Sequence, residues 1–84
     1  GKPLRLNSCA AEVDEFMIGF GSVTGDCTLS TTGSTEEAAT RLYACLHEAA
    51  TSPKRCIAVA PIPETGVGIA INDRLRRAAT PADQ

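Results

Sequence analysis

Gly19-Phe20-Gly21-Ser22-Val23-Thr24-Gly25 is the first run whose residue types suggest a ligand, since glycines after a strand let backbone amides approach a pyrophosphate. Its spacing is G-x-G-x-x-x-G, one residue longer than the dinucleotide fingerprint. The residues after it read as another extended segment, so the helix N-terminus that would hold the phosphate is missing. The run therefore reads as a plain turn, and the chain contains no G-x-x-x-x-G-K-[ST] phosphate loop. The segment Pro61-Ile62-Pro63-Glu64-Thr65-Gly66-Val67-Gly68 is better placed, at the carboxyl end of an apolar strand and running into a helix. Amides of Gly66, Val67, Gly68 and Ile69 make it a possible anion-binding turn. The plainer reading is that Gly66 and Gly68 allow a helix to pack tightly on a sheet.

The remaining chemistry-bearing side chains are scattered. His47 is followed by Glu48 inside a helical pattern, where neighbours point apart, so it reads as a surface histidine. Arg74, Arg76 and Arg77, with Asp73 placed to pair with Arg77 at i+4, form a solvated helical face or one that docks on an acidic partner. Arg74 and Arg77 are the candidate interdomain contacts. Cys9, Cys27, Cys45 and Cys56 are evenly dispersed, no C-x-x-C pair exists and His47 stands alone. All four cysteines are therefore expected as reduced thiols used as small hydrophobes, with no metal site. No active site assembles from these residues.

The elements that position them follow from pattern. A chain of 84 residues is expected to form one domain, residues 1–84, that buries roughly 60% of its unfolded surface. With 43% hydrophobic but only 4% aromatic residues, its core must be built from Ile, Val, Leu and Ala. Pro3-Leu4-Arg5-Leu6-Asn7 alternates like a short edge strand. Residues 8–15 are too few for the helical crossover that joins adjacent parallel strands, so the direction of that first strand stays open. Phe16-Met17-Ile18-Gly19-Phe20 is apolar on both faces, as a central strand is, and Asp26-Cys27-Thr28-Leu29-Ser30 is a further short strand.

Ser34-Thr35-Glu36-Glu37 fits a capping box, with Ser34 accepting from the Glu37 amide and the Glu37 carboxylate reaching back. Ala38, Leu42, Cys45 or Leu46, and Ala49 continue it as an apolar helical stripe that ends before Pro53. Cys56-Ile57-Ala58-Val59-Ala60 reads as a buried strand closing a βαβ unit. A second helix runs from Ile69 to about Ala79, with Ile71, Leu75 and Ala78 inward, and Thr80-Pro81 terminates it. The sum is a small α/β layered domain, a mainly parallel sheet of three or four strands with two principal helices.

The stretch from Ile57 through Pro61-Ile62-Pro63-Glu64-Thr65-Gly66-Val67-Gly68 to Ile71-Asn72-Asp73-Arg74-Leu75-Arg76-Arg77-Ala78-Ala79 resembles the closing motif of the C-terminal accessory domain of two-domain bacterial L-threonylcarbamoyladenylate synthases. Pro3-Leu4-Arg5-Leu6-Asn7, Ile18-Gly19-Phe20-Gly21, Leu29-Ser30 and Glu37-Ala38-Ala39 extend the resemblance over nearly the whole chain. Val67 stands where Leu is expected, and Arg41 where the family often has Asn. The resemblance implies a Rossmann-like fold. It also implies a parent nucleotidyltransferase that converts ATP, L-threonine and bicarbonate to threonylcarbamoyl-adenylate and pyrophosphate, for threonylcarbamoyladenosine in tRNA.

ATP and magnesium are thereby cofactors of the parent enzyme and not of this domain, and no catalytic residue is carried over. The implied partner is the YrdC-like catalytic domain, with the tRNA-modification machinery an indirect one. This domain would cover or regulate the catalytic one. The alternatives are a nucleotide- or anion-binding regulatory module and a protein-interaction or self-association surface. A net charge of −2 argues against direct nucleic-acid binding. No apolar run approaches the roughly 20 residues that cross a membrane, and no leader-like segment opens the chain, so a cytoplasmic protein is expected.

Overall fold

A computed structural model of the chain describes residues 2–79, and the fold is that of those residues. In order they form β1 (Leu4–Arg5), β2 (Glu15–Gly19), β3 (Cys27–Thr28), α1 (Thr35–Thr51), β4 (Cys56–Val59) and α2 (Val67–Ala79). The strands make one four-stranded sheet in the order β1-β4-β2-β3, and every neighbouring pair is parallel. The α/β layer expected from the sequence is the observed one. α1 packs on β2 and β3, α2 packs on β1, and the helices pack on each other.

The direction of the first strand is decided by what lies beside it. β4, not β2, is its neighbour, with Leu4 opposite Ile57 and Arg5 opposite Ala58. Residues 6–14 must therefore return past β4, and a two-residue strand demands a return of only about 7 Å. An extended loop covers that distance without a helix. The Ser8 amide donates to the Val59 carbonyl at 2.9 Å and the Cys56 amide to Asp14 at 3.1 Å, which ties the loop to both ends of β4.

β2 and β3 are also parallel, although only residues 20–26 join them. The chain manages this by doubling back: Phe20 and Val23 form an antiparallel bridge, and the Asp26 amide reaches the Met17 carbonyl at 2.8 Å. A Cβ on Gly25 would lie 2.6 Å from the Gly19 nitrogen, so this return requires glycine. The plain-turn reading of the glycine-rich run thus has a cause, which is backbone packed on backbone.

The core holds Ile18, Leu29, Val59 and Leu75, with Ala38, Leu42, Cys45 and Ala49 supplied by α1. α1 begins as its capping sequence requires, with the Glu37 amide donating to Ser34 Oγ at 3.1 Å. The second half of the box differs from expectation. The Glu37 carboxylate accepts from the Ser30 hydroxyl at 2.7 Å, and that hydroxyl accepts the Ser34 amide at 2.9 Å, so Ser30 relays the contact. At the other end Lys2 donates to the Ala49 and Ser52 carbonyls, at 2.9 and 2.6 Å. It supplies the positive charge a helix C-terminus favours and the last turn lacks.

Two expectations are corrected. Cys27 and Cys45 form a disulfide, leaving Cys9 and Cys56 as thiols. Even spacing in sequence concealed that β3 and α1 are packed elements whose inward positions bring the two Cα atoms within 5.8 Å. In α2 the buried residues are Gly68, Ile71, Asn72 and Leu75, whereas Ala78 is exposed. The helix starts two residues earlier than expected, and its inward line runs 68, 71, 72, 75. The stop expected at Thr80-Pro81 lies outside the described residues.

Candidate functional site

Parallel strands place their carboxyl ends on one edge, where α/β domains bind their ligands. Here that edge carries a groove of about 470 Å³ between the turn after β2, residues 20–23, and the loop after β4, residues 61–63. Phe20 and Ile62 are buried in its floor, and Pro61 and Pro63 stiffen one wall. The lining is chiefly apolar, which suits a chain segment better than a phosphate.

The loop beyond it is held by a residue that pattern reading did not single out. Asn72, buried in α2, donates from Nδ2 to the Ile62 carbonyl at 2.8 Å. Its signal was a polar side chain in an inward position of the helix, three residues before Leu75 and four after Gly68. Gly68 lies under the same loop: a Cβ there would collide with the Pro63 carbonyl and lie 3.3 Å from Thr35 Cγ2. Close packing accounts for Gly68, while Gly66 is needed for its positive φ of 54° and has open space beside it.

Of the four possible anion-binding positions, Gly66, Val67 and Ile69 are exposed and Gly68 is buried. The Gly68 amide donates to Thr65 at 2.9 Å and the Ile69 amide to Gly66 at 3.2 Å, closing the first turn of α2. Arg74 and Arg77 lie further along the helix, so the structure does not gather all six candidates at one place. Arg74 stands over the exposed Tyr43 ring of α1, 5.5 Å from its centroid, and Arg77 pairs with Asp73 at 3.0 Å. Together they border a shallow hollow of about 340 Å³ on the outer surface of α2. His47 is exposed, as expected.

Two acidic groups at the amino edge of the sheet are held by arginines. Arg5 holds the buried Glu15 carboxyl down at about 2, its side-chain hydrogen bonds acting first and the Glu12 amide second. The Arg55 guanidinium lowers the Asp14 carboxyl below its ordinary value through a 2.8 Å contact. Both carboxylates therefore stay ionised and engaged in the fold, the opposite of a poised general acid. Among the described residues no three His, Cys, Asp or Glu side chains stand together as a metal site, and no helix is long and apolar enough to cross a membrane.

An all-parallel α/β layer with an apolar carboxyl-edge groove and an arginine-bearing outer helix defines a small module of the Rossmann-like class. The family model for the C-terminal domain of threonylcarbamoyl-AMP synthase matches residues 5–80, and the chain belongs to that family. Comparison with curated proteins and with solved structures gives no match.

Proposed function

We propose that this domain serves a YrdC-like catalytic domain in making threonylcarbamoyl-adenylate from ATP, L-threonine and bicarbonate, for tRNA modification in the cytoplasm. It covers or positions that domain and so limits the access of water to a hydrolysable adenylate. The observation that carries this reading is the family match over residues 5–80. The structure is compatible with it: Glu15, Asp14, Glu64 and Asp73 each pair with an arginine of this same chain. In this reading ATP and magnesium belong to the catalytic domain, and Arg74 and Arg77 present the docking face.

The test compares the two-domain enzyme with one lacking these residues, following threonylcarbamoyl-adenylate and ATP hydrolysis together. Loss of coupling, with more ATP spent per adenylate retained, is the expected result. Equal rates and equal leakage in the two forms would overturn the reading.

A second reading, anion capture by Gly66, Val67, Gly68 and Ile69, is favoured by the position of that turn between the carboxyl end of central strand β4 and the N-terminus of α2. It requires the Gly68 and Ile69 amides to exchange Thr65 and Gly66 for the ligand. Pyrophosphate titration followed at those four amides decides it, and unmoved signals at millimolar ligand reject it.

A further inference from the structure

The Cys27–Cys45 bond joins two sulfurs in unlike surroundings. Cys27 lies on the edge strand β3 with 8% of its surface exposed, and Cys45 on the inner face of α1 with none. Arg41, one turn before Cys45 on α1 and exposed, brings its Nη2 to 4.0 Å from the Cys27 sulfur. A guanidinium at that position favours the thiolate of Cys27 once the bond is open, whereas Cys45 is wholly buried. We propose that the pair is a reversible redox clamp, in which Cys27 meets the oxidant and Cys45 resolves it.

The electron balance follows from those roles. In the reduced pair the Cys27 thiolate attacks one oxygen of hydrogen peroxide, the O–O bond breaks, and the departing hydroxide takes a proton to leave as water. Cys27 is then a sulfenic acid. The Cys45 sulfur attacks it, the S–O bond breaks, and the hydroxyl leaves with the Cys45 proton as a second water. Two thiols and one peroxide thus give one disulfide and two waters. The return needs a dithiol reductant, which supplies two electrons and two protons and ends as its own disulfide. Its first thiolate reaches Cys27, the less deeply buried of the two sulfurs, and releases Cys45. Its second thiol then expels Cys27, whose leaving thiolate Arg41 stabilises.

What the clamp holds is also visible. β3 pairs with β2 through only two positions, Ile18 with Cys27 and Gly19 with Thr28. The bond adds a covalent tie from that short strand to α1 across a sequence separation of 18, and the loop it closes includes the Ser30 relay. Opening it loosens the segment between the edge of the sheet and the start of α1. In a reducing compartment such a bond is a transient device, and in an oxidising one a permanent brace.

The experiment uses the chain with C9S and C56S, so that only this pair reacts. Reduced protein is exposed to hydrogen peroxide, alkylated, and its thiols counted by mass spectrometry; both are expected to disappear into one 27–45 disulfide. Dithiothreitol in native buffer is expected to restore them. In the C45A form a sulfenic acid trapped by dimedone should appear at Cys27, and in the C27A form none at Cys45. R41Q should slow peroxide oxidation severalfold, because it removes the positive charge beside the Cys27 sulfur, while leaving the unfolding midpoint of the oxidised form in place. Thiols that persist under peroxide, a bond that dithiothreitol opens only after denaturation, equal trapping at both sulfurs, or wild-type oxidation in R41Q would each overturn the proposal.

Discussion

The Glu15 carboxylate accepts two hydrogen bonds from Arg5, from Nε at 2.9 Å and Nη2 at 2.7 Å, across the strand that separates their own strands. The pair clasps β4 between β1 and β2, and it secures an edge strand only two residues long. Because Glu15 binds its proton at about 2 when folded against an ordinary 4.5, its contribution is complete above pH 4.5 and is lost as pH falls towards 2. E15Q is expected to lower the unfolding midpoint at pH 7 by roughly 4–8 °C, the shift that about 1 kcal/mol makes in a domain of this size. The gap between the midpoints of E15Q and the parent should narrow from pH 7 to pH 3. A constant gap across that range would refute the linkage.

Asn72 is the one side chain of α2 that reaches into the carboxyl-edge loop through a described buried hydrogen bond. N72A leaves the Ile62 carbonyl without that donor, and a buried unsatisfied group costs about 1–3 kcal/mol. The loss is expected in chemical denaturation as a lower midpoint with an unchanged slope. Amide exchange at residues 61–63 should quicken with it. Exchange at parental rates would show that the loop is held by something else.

The parts that could be read from sequence are those in which local pattern and tertiary packing agree. Phe16, Met17 and Ile18 are apolar on both faces of a strand that proves to be central, and Ser34 caps the helix its spacing announces. The Asp73–Arg77 pair needed only helical spacing. What escaped depends on which elements become neighbours. Cys27 and Cys45 meet because β3 faces α1, and the Glu37 carboxylate prefers a Ser30 hydroxyl that the preceding turn delivers. Asn72 carried only the signal of a polar residue on the inward line of α2, and that line became visible only with the helix placed over the Ile62 carbonyl.

Gly68→Ala tests how closely α2 sits on the loop before it. The added methyl would overlap the Pro63 carbonyl, which is backbone and cannot turn aside. Overpacking of this kind costs about 1–3 kcal/mol, and the gain in helix propensity, about 1 kcal/mol, does not offset it. A lower thermal midpoint is expected. At Gly66, where a methyl finds open space, alanine is expected to cost only the strain of its positive φ, about 1 kcal/mol. If Gly68→Ala proved the milder change, the close approach would be wrong.

Ser30 takes part in two of the contacts that start α1, so its removal should exceed an ordinary cap substitution. S30A deprives the Ser34 amide of its acceptor and the Glu37 carboxylate of its donor. A loss of about 2 kcal/mol is expected, against about 1 for S34A. A double-mutant cycle with E37Q isolates the relay, and a coupling near zero would remove it.

The outer face of α2 can be tested apart from stability. Arg77 with Asp73 is a solvent-exposed pair worth at most about 1 kcal/mol, and Arg74 over Tyr43 a surface contact of similar size. The R74A/R77A double variant removes at most about 2 kcal/mol in all and is therefore expected to remain folded at the assay temperature, as its unfolding curve will show. In the two-domain enzyme the same changes should reduce retained threonylcarbamoyl-adenylate and raise ATP hydrolysis, because they remove the charge that Proposed docking requires without disturbing the core. Chromatography of the adenylate beside a phosphate-release assay separates the two effects. If product and hydrolysis both stay at parental values while the fold is intact, the catalytic domain meets another surface, and the groove between residues 20–23 and 61–63 becomes the face to vary next.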